Sequence, residues 1–318
     1  MATRGAFWSG LSYGGGQTVR LVSNLILTRL LFEEAFGLMA LVSVFLTGLS
    51  LFSDVGIGPS IVRDERGEDQ SFLDTAWTLQ AGRGVVLWAL TFVGAAPFAE
   101  FYDQPELRWL VPISGATAFI AGFNSTKLFT AQRDLALGKL ALIEVGSALA
   151  AALAMVTWAA FDRSVYALAV GGVAGGLTQL VCSHLVFPGP MNRLRWDKEA
   201  AGRIMSFGRW VFLSTALTFV SGQTDRIIFG KLVPIAMLGV YSIAASLAAL
   251  APLALSHIAL QVLFPVYSRV INEKGDLPAA FREMRWPCSR SASTRTRSSR
   301  RPSASGPTAT SMGATKWG

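Results

Sequence analysis

Residues 207–269 read FGRWVFLSTALTFVSGQTDRIIFGKLVPIAMLGVYSIAASLAALAPLALSHIALQVLFPVYSR. Two long apolar helices fit this text, Phe207–Gly230 and Ile235–Pro265, with Lys231–Pro234 as the turn between them. Each exceeds the roughly 18 apolar residues that suggest a membrane helix. The first carries SGQTDRIIFGKL (Ser221–Leu232), so an acid and a guanidinium sit inside an otherwise apolar span. Ionisable groups in such helices are costly and usually mark a substrate path. The second carries LGVYSIA (Leu238–Ala244) and closes with VLFPVYSR (Val262–Arg269), where the chain returns to charged sequence.

Six more apolar runs precede this pair: Phe7–Leu31, Phe36–Val62, Thr75–Ala99, Trp109–Thr130, Leu140–Ala160 and Val165–Phe187. The whole chain is 52% hydrophobic and 15% charged, with mean hydropathy +0.44. A soluble domain carries about 25% charge. The fold class is therefore all-α, a polytopic membrane helix bundle of about eight transmembrane helices. The first apolar stretch is too long for a signal-peptide core and reads as the first span itself.

A net charge of +8 and a pI near 9.9 raise nucleic acid as a partner. The cations instead gather in a tail after Pro287 and in short loops, so no nucleic acid is expected. Cys182 and Cys288 form no disulfide framework, and His184 and His257 lie within spans and read as helix-packing contacts. No metal, no cofactor and no catalytic constellation is expected: Walker, zinc-spaced and nucleophile-elbow patterns are all missing. The chain reads as a non-enzyme.

Loop cations set the orientation. With the N-terminus cytoplasmic, fourteen Lys and Arg fall inside, in groups at Arg4, Arg63–Arg66, Lys127–Lys139, Arg193–Arg203 and Arg269–Arg285. Only Arg29, Arg108, Arg163 and Lys231 fall outside, a clear positive-inside bias.

A shift of about 202 residues lays Trp8 on Trp210, Arg29 on Lys231 and Gly37 on Gly239. An internal duplication is implied, with parallel lobes related by an axis along the membrane normal. The expected division is 1–187 as a first lobe of six helices, 188–206 as a cytoplasmic interfacial linker, and 207–285 as the first two helices of a second lobe. The linker holds MNRLRWDKEAAGR (Met191–Arg203); its cations serve as a topology signal or touch anionic lipid heads. Residues 286–318 are almost entirely Arg, Ser, Thr, Pro, Ala and Gly, without an apolar period. They read as a disordered basic arm or as a shifted reading frame, and their abrupt onset where a span is due favours the second.

The first helix presents Tyr13, Gln17, Arg20 and Asn24 at spacings of four, three and four, hence on one face. Isolated at ~20 Å depth, Arg20 would cost at least ~2.5–3.5 kcal/mol. Beside Gln17 and Asn24 it is better explained as the wall of a wet cavity. The seventh span repeats the pattern with Ser214, Thr218, Ser221 and Asp225. Arg226, one residue on, points about 100° away. Asp225 and Arg226 fit either a snorkelled interfacial pair or cavity lining, and Arg83 in the third span is open to the same two readings. Glu144 and Asp54, near span ends, read as structural. Gly10/Gly14, Gly171/Gly175 and Gly172/Gly176 have the spacing of close helix contacts.

SGQTDRIIFGKL, LGVYSIA and VLFPVYSRV, together with AFGLMALV (Ala35–Val42) and DVGIGPSIVR (Asp54–Arg63), resemble the oligosaccharide flippases. These are the O-antigen and colanic-acid exporter branch of the multidrug/oligosaccharidyl-lipid/polysaccharide exporter superfamily. The resemblance covers about Gly5–Arg285. It implies 12 to 14 spans in two lobes around a central cavity, in the bacterial inner membrane. It also implies flipping of undecaprenyl-diphosphate-linked oligosaccharide to the periplasmic leaflet, with membrane lipids and a polysaccharide polymerase or export machinery as partners. On that reading Arg20 meets the diphosphate, Arg83 and Arg226 are lesser candidates, and Gln17, Asn24, Ser221 and Asp225 line the path of sugar hydroxyls. A cation-coupled multidrug exporter of the same superfamily and an inactive truncated fragment are the alternatives.

Overall fold

The computed structural model describes residues 2–249, apart from Asp54, Val55, Glu65, Leu135 and Pro188, together with Pro252; for residues 2–13, Phe52, Arg63 and 206–214 it describes backbone only. The end of the eighth span, VLFPVYSR, His257, Cys288, Asp54, the tail 286–318 and the side chains of Tyr13 and Ser214 lie outside the described residues.

Ten helices form among the described residues, and no strand. They are α1 (Ala2–Leu30), α2 (Glu33–Phe52), α3 (Ile57–Arg63), α4 (Gln70–Tyr102) and α5 (Leu107–Gly122). After these come α6 (Lys127–Arg133), α7 (Leu137–Phe161), α8 (Tyr166–Leu185), α9 (Lys198–Leu232) and α10 (Ile235–Ala249). Four are long and apolar enough to cross a membrane: α2, α4, α7 and α8. Helices α5 and α10 are apolar but shorter, and α1 and α9 are long but carry polar residues along their length.

Two apolar runs that read as single spans are broken. Phe36–Val62 divides into α2 and α3 at Ser53–Gly56, where Gly56 takes the left-handed conformation (φ 65°) that favours glycine. Trp109–Thr130 divides into α5 and α6 at Phe123–Thr126. A third difference lies at the linker: Lys198 onward is the start of α9, which runs unbroken through the seventh span. Asp197 makes this possible as N-cap, its side chain accepting from the Glu199 N–H.

Helix α1 packs along α7, α4 on α5, and α7 on α8, while α2 lies against α9 and α5. The turns between α1 and α2, α4 and α5, α7 and α8, and α9 and α10 lie at one end, here the turn end. There Leu27, Leu31, Leu38, Leu41, Ala99, Leu107, Leu110, Val165, Leu168 and Leu238 form the main apolar core. At the opposite, linker end a smaller core joins Ile57, Ile61, Phe72 and Leu73 to Ala200 and Ile204 of α9.

Two glycine crossings set the closest approaches. Gly84 of α4 and Gly122 of α5 face each other, a Cβ on either falling 2.9–3.0 Å from the other's Cα. A Cβ on Gly37 of α2 would strike the Ile235 carbonyl of α10, and one on Gly239 would strike the Glu33 carbonyl. These last two contacts interconvert under the 202-residue shift: 33 becomes 235 and 37 becomes 239. Such reciprocity is the mark of an isologous contact, in which like patches meet about a local two-fold.

The linker end is held by ions. The Arg66 guanidinium donates to Asp69 (2.8 Å) and Asp197 (3.3 Å), with Glu199 at 3.5 Å. Arg203 reaches Asp64 (3.6 Å) and Glu199 (2.9 Å). Asp69 caps α4 as Asp197 caps α9. The Arg66 hydrogen bond holds the Asp69 carboxyl below its ordinary range. The Glu199 N–H, then the Ala200 N–H and Arg66, do the same for Asp197. A depressed carboxyl pKa stabilises fully above the unfolded value, near 3.9, and the contribution fades as pH falls through the folded value. Hydrogen exchange at the Ser71 and Glu199 amides is therefore expected to stay slow, relative to intrinsic rates, down to about pH 4. Below that it should open ahead of the helix interiors; opening in step with them would refute the capping role.

Candidate functional site

Behind the tight turn-end core the first eight helices diverge. A cavity of about 1020 Å³ lies between α1, α4, α5, α7 and α8, reached also by the ends of α2, α3 and α6. Its wall is largely small or apolar: Ala148, Ala151, Ala152, Met155 and Leu87, with Gly172, Gly175 and Gly176 where α8 presents no side chain. Gly171 and Gly175 take α7 at close range, against Met155 and Ala151, and Gly172 and Gly176 look toward Thr117 and Ile120 of α5. The two glycine pairs thus serve two neighbouring faces.

Polar groups enter from four of the long helices, and Ser50, Asn124 and Gln132 add to them at the ends of α2, α5 and α6. From α1 come Arg20, Ser23 and Asn24; from α4, Gln80 and Arg83; from α7, Glu144 and Ser147; from α8, Gln179. Arg20 is exposed to the cavity space, and Asn24 is half-buried one turn on. Arg83 does not snorkel. Its Nη2 donates to the Ser50 carbonyl (2.7 Å) and its Nε to Ser53 Oγ (3.0 Å). The last carbonyls of a helix lack intrahelical partners and carry partial negative charge. Arg83 meets them where α2 stops, so its charge is fixed at the cavity wall by the chain break itself.

Gln80, one turn earlier on α4, treats the other break alike. Its Nε2 donates to the carbonyls of Ala121 (3.0 Å), Gly122 (3.3 Å) and Asn124 (3.2 Å) at the end of α5. Trp77 Nε1 (3.4 Å) and His184 Nε2 (3.0 Å) donate to the Phe123 carbonyl, and Ser183 Oγ accepts from the Ser125 N–H (3.0 Å). Lipid offers nothing to an interrupted helix, so side chains of packed neighbours must satisfy the broken ladder. His184 is thus the helix contact its position suggested.

The structure assembles part of the anticipated set. Arg20, Asn24 and Arg83 line one cavity. Gln17 is half-buried and lines no part of it. Ser221 is exposed on α9, Asp225 accepts from the Tyr241 hydroxyl of α10, and Arg226 Nη1 donates to Gln223 (3.3 Å) on its own helix. These three stand apart from the cavity. No group of three or more His, Cys, Asp or Glu that could hold a metal ion occurs among the described residues.

A family profile described as "Polysaccharide biosynthesis protein" matches residues 26–285. The chain belongs to that family. Among curated proteins it is 22% identical over 286 residues to lipopolysaccharide biosynthesis protein WzxC of Escherichia coli (strain K12), covering 88% of this chain and 57% of that protein. It is 24% identical over 238 residues to teichuronic acid biosynthesis protein TuaB of Bacillus subtilis (strain 168), covering 73% and 48%. To succinoglycan biosynthesis transport protein ExoT of Rhizobium meliloti (strain 1021) it is 23% identical over 279 residues, covering 86% and 55%. The chain spans about half the length of these relatives. No solved structure matches it.

For this multi-pass polysaccharide biosynthesis family member, the cavity's chemistry is mixed. Two guanidiniums on separate helices supply positive charge, amides and hydroxyls supply hydrogen bonds, and Glu144 is the sole acid in the wall. Spacing along the sequence does not single out Ser23, Gln80, Glu144 or Gln179. Ser23 sits three residues from Arg20, within the same face, so the spacing argument held the signal for it. Glu144 reads as structural from its nearness to a span end; the depth of the cavity toward the linker end brings it into the wall. Gln80 and Gln179 give no local signal, because the groups they face come from other helices.

Proposed function

We propose that the chain takes part in moving undecaprenyl-diphosphate-linked oligosaccharide from the cytoplasmic to the periplasmic leaflet of the bacterial inner membrane. On this reading the N-terminus and the linker end are cytoplasmic, 1–187 is one lobe, and 207–285 opens a second. The observation that carries it is the pairing of Arg20 with the anchored Arg83 on one roomy cavity inside a membrane bundle. A sugar-pyrophosphate head cannot enter hydrocarbon unaided, since an unpaired buried ion costs many kcal/mol. Guanidinium groups meet phosphate oxygens with charge-assisted and often bidentate bonds. The amides of Asn24 and Gln179 suit sugar hydroxyls, while the lipid tail stays in the bilayer. An inside-negative potential drives such an anion outward by ~2.3 kcal/mol per charge per 100 mV. The relatives' names, of lipopolysaccharide, teichuronic acid and succinoglycan biosynthesis, fit this chemistry.

Glu144 is the observation that favours a second reading, a cation-coupled exporter of cationic drugs, because it puts one carboxylate in the same wall. Binding separates the two. The purified chain in lipid nanodiscs is expected to bind a polyprenyl-diphosphate saccharide at least about tenfold more tightly than the same saccharide on a neutral lipid, a single charge-assisted bond being worth ~1.5–3 kcal/mol. Equal affinities, or preference for a lipophilic cation, would overturn the flippase reading.

A further inference from the structure

The extended segment Met191–Trp196 has a backbone fixed to the protein and, Asn192 apart, side chains turned away from it. The Arg193 N–H donates to Asp74 Oδ1 (3.1 Å), the Arg195 N–H to Thr78 Oγ1 (3.1 Å) and the Asp197 N–H to Thr75 Oγ1 (3.1 Å). Asn192 binds Thr126 through both ends of its amide. Yet Met191 is 73% exposed, Leu194 77% and Trp196 57%. A segment pinned this firmly, with three large apolar groups outward, is built to present them. We propose that it is a strap seated at the membrane surface, where Arg193 and Arg195 bind the phosphate head groups of anionic lipids.

Charge supports that occupant. Arg66, Arg133 and Arg203, at the same end, are all held by carboxylates. Arg193 and Arg195 are exposed and stand in no ion pair among the described residues. Basic clusters beside a span draw anionic lipid, and Trp prefers the head-group layer. Depth supports it too. The 33 residues of α4 span ~50 Å, about 20 Å beyond the hydrocarbon core. Asp74–Thr78, where the strap is pinned, lie only ~6–12 Å into the helix from its first residue, at head-group level. A hollow of about 460 Å³ opens there between the strap and the first turn of α4. The one carboxylate in it, Asp74, already accepts from Gln70 Nε2 (2.8 Å) and the Arg193 N–H.

The test labels the strap in the whole chain. With Cys182→Ser and Cys288→Ser as background, a nitroxide on Leu194→Cys is read by collision with oxygen and with a water-soluble nickel chelate. The vesicles are phosphatidylcholine with or without phosphatidylglycerol. The strap predicts a severalfold drop in nickel collisions when phosphatidylglycerol is present. That drop should be lost in Arg193→Gln/Arg195→Gln and retained in Arg193→Lys/Arg195→Lys, which keeps the charges and controls for folding. A label open to nickel in both vesicles overturns the proposal. So does equal protection in both, which makes the contact purely apolar, and so does protection seen only in native membranes, which makes the occupant a protein.

Discussion

Leucine at Gly239 should force α2 and α10 apart and lower the thermal midpoint of the detergent-solubilised chain by several degrees. Even the Cβ would overlap the Glu33 carbonyl, with the Gly37 nitrogen 3.1 Å away. Both obstacles are backbone, so no rotamer relieves them and a whole helix must move. Overpacking of this kind costs typically 1–3 kcal/mol. Gly37→Leu should do the same through Ile235. Because either substitution alone already opens the crossing, the double variant should fall well short of the sum of the two. Gly14 and Gly82 are the controls: nothing lies within 4 Å of a Cβ at either, so alanine there should be neutral or slightly stabilising. Equal tolerance at all four positions would show that the crossing is not tight.

Arg20→Ala is expected to weaken binding of the polyprenyl-diphosphate saccharide by about 10- to 100-fold while leaving the thermal midpoint unchanged, the loss of one charge-assisted contact. Arg83→Ala should weaken binding comparably and also destabilise the fold. It removes two charge-assisted hydrogen bonds, to the Ser50 carbonyl and Ser53 Oγ, and leaves only the bond between those two; a hydrogen bond to a charged group is worth about 1.5–3 kcal/mol. Gln17→Ala, off the cavity, should do neither. If Arg20→Ala bound as well as the parent, the guanidinium would have no role in recognition.

That contrast marks how far the sequence can be read. The bundle and most of its helices are legible, because apolar runs of membrane length admit few other structures. The Arg20 face is legible because i, i+4 spacing is a property of one helix. The 202-residue shift places Gly37 over Gly239, and a Cβ at either would strike the helix that carries the other. The breaks after Phe52 and Gly122 are not legible. Their only local marks are short polar stretches, Ser53–Gly56 and Asn124–Thr126, inside long apolar runs, and the breaks persist because Arg83, Gln80, Trp77 and His184 arrive from other helices to satisfy the loose backbone groups. Gln17 fails for a related reason: a helical face is a broad sector, and packing against α7 decides which of its edges is open. For Ser221, Asp225 and Arg226 spacing fixes the face of α9 but gives no information on what that face meets.

Helix α9 behaves as a beam clamped at both supports. Arg66 and the Ala200–Ile204 contacts grip its beginning. Lys231, bound to Asp103 (2.8 Å) and the Phe101 carbonyl (2.6 Å), grips its end, where Gly230 wedges against Tyr102 and Leu41. Such a member cannot swing as a rigid rod; a load applied across it must be taken up by flexure between the clamps. Between them Thr215 donates to the Leu51 carbonyl (3.3 Å) and the Phe219 ring lies against Gly48, so α2 supports the shaft at mid-length, while Gly222 beyond has open space where a side chain would stand. Any tilting of α10 would therefore be stored as elastic curvature in the last turns of α9, beyond Phe219, and released when the load is removed.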